Sequence, residues 1–129
     1  MVADVTRTVR RPAANARKKA VVIEINEIAR YLQELLGQKL VAYMAGVSDP
    51  KVVGRWAQGT QPPRDEPDRR LRTVLKICHL LLSQDNTHAV RAWFIGMNPQ
   101  LGDDSPAEAM HDGRLKEALA TAMSFMSGG

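Results

Sequence analysis

The sequence predicts an all-α fold, and three observations carry that prediction. Apolar residues recur at spacings of three and four in one segment after another, the period of a helix with one buried face. Glycines, and Asp or Ser followed by Pro, stand at the ends of those segments, where helices stop and start. No stretch shows the apolar–polar alternation around a short turn that marks a β-hairpin. The expected order is a disordered basic arm over 1–20, a helical unit over 21–63, a connecting helix over 64–85 and a second small helical domain over 86–129.

The arm is set apart by charge. Arg7, Arg10, Arg11, Arg17, Lys18 and Lys19 stand there against Asp4 alone, while the 129-residue chain as a whole carries only +4. The rest is therefore close to neutral. Pro12 and the absence of apolar periodicity argue for disorder. Such an arm supplies phosphate contacts that do not depend on base sequence, or serves only as a solvated tail. "VVIEI", residues 21–25, reads as an extended lead-in or as a first helical turn.

Ile28, Leu32, Leu35 and Leu36, with Tyr31 beside them, form the first helical stripe, and Gly37 ends it. Leu40, Val41 and Met44 begin a second helix that stops at Gly46. Asp49-Pro50 reads as an N-cap with proline at the first helical position, opening a third helix that runs to Gly59. "TQPPRDEPD" is a proline-rich connector. Leu71, Val74, Leu75, Cys78, Leu81 and Leu82 make the longest stripe. Asn86 caps a fifth helix expected to bury Val90, Trp93, Phe94 and Met97. "GMNPQLGDDSP" is a turn-rich loop. Ser105-Pro106-Ala107-Glu108 then has the capping-box pattern, Ser at the cap and Glu three residues on. That short helix runs to about Met110 and breaks at Asp112-Gly113. The last helix carries Leu115, Leu119, Ala122, Met123 and Met126.

"GVSDPKVVGRWAQG", Gly46 to Gly59, has the parts of a helix-turn-helix. The motif needs a small residue where the helices cross, a glycine that takes positive φ in the turn, and an apolar residue on the second helix facing the first. Ala42, Gly46 and either Val52 or Val53 supply these. Lys51 and Arg55 then fall on or beside the outer face, with Ser48 and Asp49 at the helix start, where base edges and phosphates are met. Arg10, Arg11, Arg17, Lys18 and Lys19 are the arm's phosphate candidates. Trp56 reads as a packing residue rather than a base contact. Arg64, Arg69, Arg70 and Arg72 either touch phosphates or pair with Asp65, Glu66 and Asp68 at a solvated helix start.

Arg55-Trp56 resembles the pair that ends the recognition helix of many Xre-type repressors. It departs in one respect: Asp49, not Ser48, stands seven residues before the tryptophan, so the turn is one residue longer. The second half extends the likeness. Ala92, Trp93, Asn98-Pro99, Leu101-Gly102, Ser105-Pro106 and Asp112-Gly113 occur in order before the final amphipathic helix. In that order they resemble the toxin-binding domain of the Xre/MbcA/ParS antitoxin family, and the likeness spans about residues 40–127. It implies an all-α protein with a helix-turn-helix unit followed by a toxin-binding domain. It implies an antitoxin that neutralises a cognate toxin, often a RES-type enzyme that consumes NAD, and that binds double-stranded operator DNA to repress its own operon. Met123, Phe125, Met126 and Ser127 become the expected toxin-facing residues, an adaptable apolar contact; the other reading makes two of the three large ones core. A stand-alone repressor with a dimerising second domain is the alternative. A homodimer or a hetero-oligomer with the toxin is expected, and Ile77, Leu80 and Ile95 are the residues left over for self-association.

Catalysis is not expected. His79, His88 and His111 are dispersed, and Cys78 and His79, being adjacent on a helix, point in different directions and serve one metal poorly. No phosphate-binding glycine loop, paired carboxylates or nucleophile elbow occurs, and no cofactor is expected. Cys78, the only cysteine, excludes an intramolecular disulfide and fits a reducing cytoplasm. No apolar run has the length of a membrane span.

Overall fold

The computed structural model describes the backbone of residues 14–128, and side chains from Ile25 onward. The described residues form seven α-helices and one 3-10 turn, with no strand. They are α1 (Ala14–Leu36), α2 (Gln38–Ala45), α3 (Lys51–Gln58), α4 (Asp65–Leu82), α5 (Thr87–Ile95), the 3-10 turn Pro99–Leu101, α6 (Pro106–His111) and α7 (Leu115–Met126).

The arm is shorter than expected. The helix already runs at Ala14, so Arg17, Lys18 and Lys19 lie within α1 and "VVIEI" is helix interior rather than a lead-in. The physical reason is propagation. Once Ile25, Ala29, Leu32 and Leu36 are packed, extending the helix back through alanine, lysine and arginine adds one backbone hydrogen bond per residue fixed. Arg10 and Arg11, and the arm reading of residues 1–13, lie outside the described residues.

Helix ends follow local chemistry. The Asn86 side chain accepts from the Ala89 N–H at 2.9 Å. Both arms of the capping box form: the Glu108 N–H donates to Ser105 Oγ at 3.0 Å, and the Ser105 N–H donates to Glu108 Oε1 at 2.7 Å. Gly46 takes φ 83°, the left-handed value the turn after α2 requires.

The core is continuous from end to end. α1 packs along α3, and α4 touches α1, α2, α5 and α7. α2 also packs on α6, which carries the first half of the chain directly onto the second. At that junction the Tyr43 and His111 rings stack with centroids 4.2 Å apart. His111 Nδ1 donates to the Tyr43 carbonyl at 2.8 Å, and Arg70 Nη1 donates to the His111 carbonyl at 2.9 Å. Phe94, Met44, Met110, Leu71 and Ile77 are fully buried between the halves and around α4.

Several burial expectations change. Ile77, expected on the surface for self-association, is fully buried, because α4 is flanked on more than one side and its buried face is wider than one stripe. Leu80 is half-buried, and Leu75 and Leu82, placed on the buried stripe, are only partly so. Met97, expected in the core, is 78% exposed: α5 ends at Ile95 and the chain leaves the core before reaching it. Trp93 is half-buried, edge-on to Phe94.

Candidate functional site

α2, the Gly46 turn and α3 build the first site. Val53, Trp56 and Ala57 point inward and are buried against α1 and α2. Val53, not Val52, is the fully buried valine, and Ala42 is buried at the helix crossing. Arg30 Nη2 on α1 donates to the Ala57 carbonyl at 3.2 Å, fastening the last turn of α3. The opposite face of α3 exposes Lys51, Arg55 and Gln58, at spacings of four and three. That is one helical stripe, and it is polar.

The start of α3 differs slightly from the expected cap. The helix is bounded at Lys51, with Pro50 already in helical geometry (φ −58°, ψ −26°). Asp49 still does the capping chemistry, since its Oδ1 accepts from the Lys51 N–H at 3.0 Å. Ser48 is exposed in the turn. Asp49, Lys51 and Arg55 therefore share one edge of the molecule. The Arg55 side chain is 45% exposed, with Nη2 3.8 Å from Asp49 Oδ2. Its Nε donates to Gln61 Oε1 at 3.0 Å. Gln58 and Gln61 were missed as site residues. The i, i+7 spacing from Lys51 reveals Gln58, whereas nothing short of the fold-back at Gly59 reveals Gln61.

Arg69, Arg70 and Arg72 at the head of α4 bond carboxylates of their own helix. Arg69 and Arg70 both hydrogen-bond Glu66, and Arg72 Nε pairs with Asp68 Oδ1 at 2.6 Å. The bonds from Arg69 and then Arg70 hold the Glu66 carboxyl below the usual carboxylate range. Arg69 matches the solvated helix start, whereas the Arg70 side chain is only 14% exposed and lies against Gly46 in the turn before α3. Trp56 is 2% exposed, so it packs and does not reach a base.

The second candidate surface lies on α7. Met123 is 56% exposed, Phe125 is 50% exposed and Ser127 is exposed. Met126 is a correction: it is partly buried against the core. Two residues apart on a helix, Met123 and Phe125 face nearly opposite ways. Met123 lines a shallow groove with Lys76, His79, Leu80, Ser83 and Leu119. Phe125 lines another with Asn98, Pro99, Gln100 and Thr121, beside the turn that follows exposed Ile95 and Met97. The four expected partner-facing residues thus form two patches rather than one.

Cys78 is buried, and desolvation pushes its thiol up to about 12. Among the described residues, no group of three or more His, Cys, Asp or Glu is placed to hold a metal ion, and no helix is long and apolar enough to cross a membrane. No family profile, no curated protein and no solved structure matches the chain.

Proposed function

We propose that this chain is a DNA-binding antitoxin. In this reading α2 and α3 form a helix-turn-helix that reads operator DNA with Arg55 and Lys51 and represses the operon. The C-terminal half holds a partner toxin through α7, and the resemblance of residues 89–123 to toxin-binding domains makes a RES-type NAD-consuming enzyme the expected partner. The observation that supports it most is the arrangement of α3: Val53 and Trp56 buried behind it, the left-handed Gly46 before it, and a polar stripe of Lys51, Arg55 and Gln58 left outward.

Co-expression with the product of the adjacent gene, one partner tagged, tests the reading. Co-elution as a defined complex, with growth rescued relative to the neighbour alone, is the expected result. A harmless neighbour that does not co-elute would move the function to a stand-alone repressor. Failure to bind the chain's own upstream DNA more tightly than scrambled DNA at matched salt would remove the DNA-reading half as well.

A further inference from the structure

The last turn of α3 does more than end a helix. Gly59 takes φ 81°, and its N–H and that of Thr60 both donate to the Arg55 carbonyl, at 3.0 and 3.1 Å. The chain therefore folds back over the final turn. The positive φ at residue 59 suits glycine, and the Asn26 side chain lies close behind the turn, its Nδ2 2.7 Å from where a Cβ would stand. The reversal delivers Gln61 to the Arg55 side chain, where its Oε1 accepts from Nε.

That bond constrains how the guanidinium meets DNA. Arg carries five N–H donors in a rigid plane, and the strongest base contact is two parallel bonds to guanine O6 and N7. With Nε occupied by Gln61, the edge formed by Nη1 and Nη2 is the one left for the pair. Asp49 Oδ2, at 3.8 Å from Nη2, stands outside hydrogen-bond distance and does not block it. A long side chain on an exposed helix also loses rotamer freedom when it binds. Gln61 removes part of that freedom beforehand.

We propose that Gln61 is a positioning residue for base recognition. It holds the plane of Arg55 so that Nη1 and Nη2 address one guanine in the major groove, and so sets specificity without touching a base itself. This rests on the DNA-reading proposal above.

The test uses the full chain. Duplexes are first selected from a randomised pool, and each guanine of the selected site is then replaced by 7-deazaguanine, which lacks the N7 acceptor. In the unaltered protein, one guanine should show a penalty of roughly 5- to 150-fold, the range of a good bidentate pair. That penalty should vanish in Arg55→Ala. Gln61→Ala should reduce it by at least about threefold, leaving affinity for scrambled duplex and thermal stability unchanged, since Gln61 is exposed. Gln61→Glu, which keeps the acceptor oxygen, should retain the discrimination while binding every duplex more weakly. In an Arg55→Ala background, Gln61→Ala should be silent. An undiminished penalty in Gln61→Ala overturns the proposal. So does an equal loss on selected and scrambled duplex, which would make Gln61 a phosphate contact. If selection yields no preferred duplex, DNA reading itself fails, and this inference falls with it for a separate and visible reason.

Discussion

On the proposal that α3 reads DNA, replacing Arg55 by alanine separates reading from mere adhesion. The side chain is half in solvent, and its ion pair with Asp49 is long and between two exposed groups. Such pairs contribute about 0–1 kcal/mol. Its backbone lies in the middle of α3, where alanine is the better helix former. The folded state should therefore change by no more than about 0.5 kcal/mol, or about 2 °C in Tm for a chain of this length. The bound state should lose much more. A bidentate guanine contact discriminates by about 1–3 kcal/mol, so affinity for the selected duplex should fall roughly 5- to 150-fold. Affinity for scrambled duplex should fall far less, and the salt slope should drop by less than the roughly 0.9 expected for one phosphate contact. Fluorescence anisotropy with both duplexes at several salt concentrations reads all of this, and a thermal melt supplies the control. Equal losses on the two duplexes, with the slope lowered by about 0.9, would make Arg55 a phosphate clamp and sink the base-reading argument. A Tm loss above about 5 °C would make it a structural residue.

Three other perturbations test neighbouring parts of the account. Asp49→Asn removes a carboxylate from the edge that carries Lys51 and Arg55 but keeps an oxygen able to accept from the Lys51 N–H; on the DNA-reading proposal it should tighten binding to any duplex by roughly two- to fivefold with little change in melting. Met123→Asp and Phe125→Asp, each on its own exposed patch, should leave folding intact, and only the one lying in the partner interface should abolish capture in the co-expression assay; loss of capture by neither would remove α7 as the partner surface. Cys78 titrates near 9 when unfolded and about 12 when folded, so the protonated thiol's full contribution is present below about pH 9 and is lost as pH rises toward 12. Stability should then fall by up to about 1.4 kcal/mol per pH unit between about 9 and 12, and urea midpoints of Cys78→Ala should lack that component.

What could be read directly from the residues was mostly local. The caps at Asn86 and Ser105–Glu108 and the reversal at Gly46 each depend on neighbours within four positions, so the chain states them outright. The misreadings share a different cause. Ile77 is buried because helices pack on α4 from more than one direction, and an apolar stripe does not reveal how many partners its helix has. Met97 is apolar but sits two residues past the end of α5, where the chain has already turned away. Met123 and Phe125 read as one surface because they are adjacent in sequence, although helical geometry sends them apart. Gln61 was invisible for a subtler reason: the fold-back at Gly59 is legible, but the side chain it brings onto Arg55 depends on the direction of the reversal.

Whether the chain is two units or one is decided by its core. A helix-turn-helix unit over 21–63 would be autonomous if α1–α3 closed their own apolar surface, but α2 packs on α6 and α4 on α7. Among the described residues, Val90, Phe94, Leu101, Ala107, Ala109, Met110, Ala118 and Ala122, a third of the buried apolar set, come from the second half. Removing them takes away the packing that α5 and α7 give α4 and that α6 gives α2. Losing Phe94 alone costs about 3–5 kcal/mol, against a total of about 5–15 kcal/mol for a whole domain. A fragment of residues 1–85 should therefore give no sharp urea transition and bind no preferred duplex, while the full chain unfolds in one cooperative step. A fragment that melts and binds like the full chain would show instead that α6 and α7 only lean on a finished DNA-reading unit. With one shared core, the Tyr43–His111 stack joins α6 of the second half to α2, the helix preceding α3. Partner binding and DNA binding would then bias a single folded body, and neither could be measured as though the other half were a passenger.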